Sequence, residues 1–225
     1  MNVSECVAKR QSVRAFKPDP VPESTVRDII ERARNAPSGG NLQPWRVYVL
    51  SGAPLAEFKK QIVERVNAGE KGETPEYDVY PPKLWEPLRT RRREAGTLRY
   101  AALGYDDKDK SGLTELTIKN CEFFGAPVGL FFCLDRRVGP PQWSDVGMFM
   151  QTVMLLAVER GLDTCPQEFW AGWPKAVAEY IGLPDDHMLF AGMSMGYRDP
   201  EHRLNTYRTP REPVEVFAEF RGFEA

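Results

Sequence analysis

Apolar residues recur at positions i, i+3, i+4 and i+7 over Val26, Ile29, Ile30 and Ala33, the period of a helix with one buried face. Pro22 and Glu23 suit its opening turn, where a missing N–H costs nothing and a carboxylate favours the positive helix end. Pro37 is the expected stop. A shorter amphipathic helix is expected over residues 3–10. Arg46 to Leu50, rich in β-branched and aromatic side chains, predicts a strand, and Leu55 to Val66 returns to helical spacing. Val128 to Leu134 is a continuous apolar run, as in a strand buried on both faces. Ser144 is the expected N-cap of the next helix and Gly161 its stop. Between them Val146, Met148, Phe149, Met150, Val153, Met154, Leu155, Leu156 and Ala157 leave almost no polar stripe. Such a helix belongs in the middle of a protein or of a dimer. Met188 to Met195 predicts another strand, and Val214 to Phe220 alternates weakly around Glu215 and Glu219, as an edge strand would. Helices and strands mixed without a regular βαβ repeat indicate an α+β fold.

Residues 68–115 depart from this regularity. Gly, Pro and charged residues are interspersed there with isolated aromatics (Tyr77, Tyr80, Trp85, Tyr100, Tyr105), with a helix expected over Leu84 to Leu98. Stretches of this length without clear period are usually lids or binding excursions. A cover over an active site that helps set substrate choice is the favoured reading; a surface insertion without a role is the alternative.

At 225 residues the chain is long enough for one large core and shows no break, so a single domain over 1–225 is expected. A formal net charge of −2 leaves no basic excess to attract nucleic acid. Arg89, Arg91, Arg92 and Arg93 are a local exception, but flanking Glu86 and Glu94 favour a solvated helix face. No apolar stretch reaches the ~20 residues of a membrane span. The amino terminus lacks the pattern of a secretion signal, so a cytoplasmic location is expected. Cys6, Cys121, Cys133 and Cys165 form no C-x-x-C pair, and with only two histidines no metal site is expected.

The candidate chemistry lies in two stretches. Arg10-Gln11-Ser12-Val13-Arg14 sets two guanidinia four positions apart around a hydroxyl, able to hold a phosphate at one end and an electron-rich ring at the other. Ala36-Pro37-Ser38-Gly39-Gly40-Asn41-Leu42-Gln43-Pro44-Trp45 supplies permissive backbone, an amide and an aromatic stop. Together they point to one anionic cofactor approached from two sides, best matched by flavin mononucleotide (FMN).

These stretches resemble the FMN-dependent nitroreductases. The resemblance continues, in order, through Phe123-Phe124-Gly125-Ala126-Pro127, Gly161-Leu162-Asp163-Thr164-Cys165-Pro166-Gln167 and Gly192-Met193-Ser194-Met195-Gly196-Tyr197 to Arg208 and Arg211. It covers about residues 5 to 218 and is weakest over 68–115. The resemblance implies a nitroreductase-like mixed sheet flanked by helices, in an intertwined homodimer with two flavins at the interface. A tail at about 207–225 would cross onto the partner subunit.

By the same resemblance, Arg10, Ser12, Arg208 and Arg211 hold the phosphate, Gln11 adds a backbone contact, and Arg14 faces the pyrimidine edge. Pro37, Ser38, Gly39 and Asn41 touch the flavin from the other subunit, and the backbone of Gln167 and Glu168 approaches N5. Phe169-Trp170 follows where the family often has glycine. Gln43, Trp45 and Asn120 are left between direct contact and supporting roles. No side chain is a nucleophile, because the flavin carries the chemistry. The activity implied is ping-pong transfer of hydride from NAD(P)H, through flavin N5, to a small nitroaromatic or quinone acceptor. A reductive dehalogenase on the same fold ranks lower, because 68–115 lacks an evident zwitterion clamp. A flavin carrier without turnover stays open. Gly192-x-Ser194-x-Gly196 also satisfies the serine-hydrolase elbow, but the only later histidine is His202, too near for a triad on separate loops.

Overall fold

The computed structural model describes residues 1–106 and 110–223; of the stretches expected above, positions 107–109 and 224–225 lie outside the described residues. Helix α1 (Val3–Lys9) opens with a capping box in which the Asn2 side chain accepts from Glu5 N and the Glu5 side chain accepts from Asn2 N, both at 2.9 Å. Helix α2 (Glu23–Ala33) buries Val26, Ile29 and Ala33. It ends before Pro37, through an αR cap at Arg34. Strand β1 (Arg46–Ser51) and helix α3 (Gly52–Asn67) follow.

The excursion holds two helices. The first, α4 (Leu88–Leu103), starts after Pro87 and stops at the left-handed Gly104, so it lies later than the expected 84–98. Its start is held by Glu86, whose carboxylate accepts from Thr90 N and from Arg89. The second, α5 (Lys110–Cys121), has no counterpart among the sequence expectations, since Gly112, Thr114 and Thr117 interrupt its apolar period.

Strand β2 (Val128–Asp135) is buried almost throughout. Helix α6 (Pro140–Glu159) begins four residues before Ser144, after Gly139. Prolines 140 and 141 preset its first turn, and the Ser144 hydroxyl bonds back to Pro141 O at 2.6 Å instead of capping. Strand β3 (Asp163–Gln167), helix α7 (Pro174–Ile181) and strand β4 (His187–Gly196) complete the core.

The sheet order is β1-β2-β4-β3. Its three pairings are antiparallel, and parallel pairing among the described residues is confined to the bridge between Ser12 and Thr164. Alternation along β2 feeds two cores. Val128, Leu130, Phe132 and Leu134 face α2 and α6, whereas Phe131 and Cys133 face α3 and α7. The result is a sheet between helical layers, an α+β arrangement. No described helix is long and apolar enough to cross a membrane.

Two departures matter for the site. A bulge in β4 leaves Phe190 without a partner in the ladder, and its carbonyl accepts the hydroxyl of Tyr77. The excursion is thereby fastened to the sheet. The expected edge strand over Val214 to Phe220 is absent; Val214–Phe217 forms one helical turn after Pro213. Phe217 and Phe223 stand 72% and 79% exposed.

Gly192-x-Ser194-x-Gly196 is a packing motif here. A Cβ on Gly192 would lie 2.2 Å from Trp170 Cδ1, and one on Gly196 would lie 2.6 Å from Pro127 Cδ. Ser194 is fully buried and donates to Gln167 Oε1 at 2.7 Å, so its hydroxyl is unavailable as a nucleophile. Since Trp170 is itself fully buried, Gly192→Ala forces the core to shift and is expected to cost about 1–3 kcal/mol. A urea denaturation midpoint equal to wild type would contradict this packing.

Candidate cofactor site

Arg10 caps the end of α1, and from there the chain runs extended beside β3: Ser12 bridges Thr164, and Val13 N donates to Thr164 O at 3.0 Å. In extended chain alternate side chains share a face. Val13 and Ala15 turn into the core, which leaves Arg10, Ser12 and Arg14 on the opposite, cavity side. At about 3.3 Å per residue the two arginines stand roughly 13 Å apart. This is the physical content of the R-x-S-x-R spacing.

The carboxyl-terminal segment is brought to this strand by buried amides. Asn205 Oδ1 accepts from Arg14 N, and Asn205 Nδ2 donates to Ala15 O and Asp199 O, each at 2.8 Å. Gln11 Nε2 donates to Tyr207 O at 2.8 Å and to Asn205 O at 3.2 Å. Gln11 thus acts through its side chain as a tie between segments. Arg208 donates to Ala8 O at 2.7 Å and Lys9 O at 2.9 Å, satisfying carbonyls at the end of α1. Arg211 bonds to Thr209 and Pro210 nearby in the chain.

These residues enclose a cavity of about 420 Å³ lined by Arg10, Ser12, Arg14, Arg99, Arg208 and Arg211, with Gln11, Gln151 and Tyr207 among its other walls. A second cavity of about 580 Å³, lined by Asn120, Phe124, Cys165, Gln167, Glu168 and Phe169, shares Arg14 and Arg99 with the first. The two form one trough. Among the described residues, no acidic side chain lines its first compartment, and none of its five arginines is paired with a carboxylate. Burial, then repulsion from Arg211 and Arg208, pulls the Arg10 guanidinium below its ordinary value. Like charges gathered in one partly dry cavity repel strongly. The arrangement is stable where an anion with several acceptor oxygens neutralises it, so a phosphate end with a flat, polar ring beyond it fits the donor set.

The second compartment ends on β3. Gln167 is buried, and its side chain is used internally: Nε2 donates to Asn120 O at 2.9 Å while Oε1 accepts from Ser194. Backbone is what Gln167 can offer a ligand. Glu168 is exposed as a residue, yet burial of its carboxyl end against the trough pushes its pKa up, with the Tyr80 hydroxyl partly opposing through a hydrogen bond. Burial pushes the Cys165 thiol up, so this cysteine is an inert wall.

The family model that matches this chain, over residues 7–197, is that of the Nitroreductase family. The chain belongs to the nitroreductase family. Among solved structures it is similar to the FMN and NADPH-dependent nitroreductase NfnB of Sphigopyxis sp. strain HMH, with 43% identity, a TM-score of 0.95, and coverage of 99% of this chain and 100% of that one. The FMN-dependent NfnB of Mycobacterium smegmatis, solved with NADPH, is 31% identical with a TM-score of 0.92 and 98% coverage of both chains. The 4-nitrobenzoate reductase of Pseudomonas putida is 38% identical over 221 residues, 97% of this chain and 95% of that protein.

Within one chain this nitroreductase brings together Arg10, Gln11, Ser12, Arg14, Gln167, Glu168, Arg208 and Arg211. Pro37, Ser38, Gly39 and Asn41 are not in the walls of the trough. Their loop is held to α6, where Gly39 N donates to Asp145 at 3.3 Å, and Gly40 and Asn41 adopt positive φ. Gln43 stays with this loop, its N–H donating to Ser38 Oγ at 3.0 Å, and Trp45 stacks on Phe149 in the core at 4.8 Å. Sequence reasoning missed Asn205, Tyr207 and Arg99. Asn205 resembles ordinary turn chemistry, and Arg99 sits in the stretch whose period is least regular.

The Glu168 shift predicts a pH effect. Its folded pKa is raised, so the stability it contributes is complete below its unfolded value, near 4.3 in model peptides (roughly;), and is lost as pH rises through the folded value. Glu168→Gln should therefore gain on wild type as pH is raised from about 4 to 7. Chemical denaturation of both proteins across that range, showing a constant gap, would count against the crowded carboxyl.

Proposed function

We propose that the chain, folded as one domain, is an FMN-dependent oxidoreductase that passes electrons from NAD(P)H to nitroaromatic or quinone acceptors by a ping-pong cycle. The observation that carries this reading is the gathering of Arg10, Arg14, Arg99, Arg208 and Arg211 in one cavity, with no carboxylate among its described lining residues. Its relatives, FMN and NADPH-dependent nitroreductases and a 4-nitrobenzoate reductase, support it. Bound FMN supplies the two-electron chemistry by taking hydride from a nicotinamide and passing it to an acceptor.

The chain's own residues bind and orient. Arg10, Ser12, Arg208 and Arg211 grip the phosphate through charge-assisted hydrogen bonds. Arg14, whose Nη1 donates to Ser12 O at 3.2 Å, would supply a fixed cation to bound FMN, favouring the ring as it gains negative charge. The Gln167–Glu168 backbone, kept in place by the Asn120–Gln167–Ser194 hydrogen bonds, would offer its N–H groups to the bound ring. Phe169 and the Tyr80–Glu168 contact narrow the space left for an acceptor.

Purified protein should be yellow, lose its flavin colour anaerobically on adding NADH or NADPH, and regain it with a nitrobenzoate or quinone. Initial rates against both substrates should give parallel double-reciprocal lines. A preparation that binds no FMN, or turnover undiminished after FMN is stripped, would overturn the proposal.

The proposal includes an intertwined homodimer. An apolar tail exposed at Val216, Phe217, Phe220 and Phe223 and a loop at 37–41 outside the walls of its own trough both suit a second copy. In that assembly Pro37, Ser38, Gly39 and Asn41 approach the partner's flavin. Light scattering should give twice the chain mass, and truncation after Glu212 should shift it toward the monomer. Unchanged mass on truncation would remove the crossing tail from the proposal.

A further inference from the structure

We infer that Arg99, carried by the excursion helix α4, is a further flavin-binding cation of this site. The inference rests on the proposed FMN function and extends it to a residue outside the R-x-S-x-R strand and the carboxyl-terminal arginines.

Three observations converge on it. Arg14 and Arg99 are the two residues lining both compartments of the trough, so Arg99 stands where the phosphate end gives way to the ring end. Its Nε is buried without a hydrogen-bond partner, and its guanidinium is paired with no carboxylate among the described residues. A buried guanidinium N–H left unpaired is costly, more so than a neutral donor. Third, Arg99, Arg14 and Arg10 all act on the Cys165 thiol, opposing the rise that burial causes. Three cations from two separate segments therefore surround one wall of the cavity.

The helix is held firmly enough to present this charge. Its carboxyl-terminal half packs Leu103 on Leu116 and Leu204, with Tyr100 and Tyr207 beside them. Arg203 Nη2 donates to Leu103 O at 3.3 Å. The same 204–208 segment carries Asn205 and Arg208, so α4 and the phosphate-binding tail share one support. Seven residues before Arg99, on the same helix face, Arg92 stacks over Tyr80 at 4.2 Å, and Tyr80 reaches Glu168. One face of α4 thus spans the trough from Glu168 to the arginine cluster. The excursion is part of the binding wall, and its cation complements a ligand that is anionic at one end and gains charge at the other.

The test compares wild type, Arg99→Gln and Arg99→Lys. Apoprotein is titrated with FMN by fluorescence quenching at several salt concentrations, and the midpoint potential of bound FMN is measured. Arg99→Gln should raise the FMN dissociation constant about tenfold or more, flatten its salt dependence and lower the potential. Arg99→Lys should recover most of the affinity and the salt slope. Unfolding midpoints on all three separate a packing defect from loss of charge, since a purely structural role would change neither salt slope nor potential. Wild-type binding with unaltered binding and potential in Arg99→Gln would overturn the role of Arg99 alone. Failure of wild type to bind FMN would overturn the flavoprotein reading together with it.

Discussion

The buried side chain of Asn205 holds the two ends of the chain in register. It satisfies the Arg14 amide, the Ala15 carbonyl and the Asp199 carbonyl at once, and Gln11 repeats the link with the carbonyls of Asn205 and Tyr207. Each of these polar groups would be expensive to leave unpaired in the interior. Their mutual satisfaction fixes where the strand bearing Arg10, Ser12 and Arg14 lies relative to the segment bearing Arg208. Without that register the arginines would be separate surface cations, each worth little. With it they form one field.

That field contrasts with the chain as a whole. Thirty Lys and Arg residues are outnumbered by thirty-two Asp and Glu, and most arginines elsewhere find carboxylates, as in Arg160 with Asp28 or Arg198 with Asp163. Among the described residues, the arginines of the trough do not. Segregation of unpaired cations into a cavity, in a protein with acid to spare, is a departure from ordinary surface pairing that a bound anion explains.

The excursion is integrated by a different device. A bulge in β4 frees the carbonyl of Phe190, which Tyr77 takes up. Glu73 meanwhile accepts from Lys175 N and Ala176 N at the start of α7 and pairs with Arg65. These anchors let α4 lie over the cavity with one face turned to it. Glu168 and Phe169 then line the second compartment of the trough.

Helical spacing in Val26–Ala33 and Leu55–Val66, and unbroken apolar runs in β2 and β4, made most elements readable from the sequence, because burial of one face imposes a period that survives any tertiary detail. The spacing of Arg10, Ser12 and Arg14 was legible as a candidate anion grip, as was the ordered set of motifs that relates the chain to its family, although the extended backbone behind that spacing was not. Other features do not follow from that period. Helix α6 starts at Pro140 and not at Ser144 because the local turn closes on Pro141 and Gln142. Residues 214–220 do not form a strand, since a strand needs an edge that no local pattern supplies. Asn205 and Arg99 look ordinary in sequence; their roles come from what lies 190 residues away in one case, and from the meeting of two cavities in the other. Periodicity encodes which face is buried, whereas only folding brings charges and amides from remote segments within hydrogen-bonding distance.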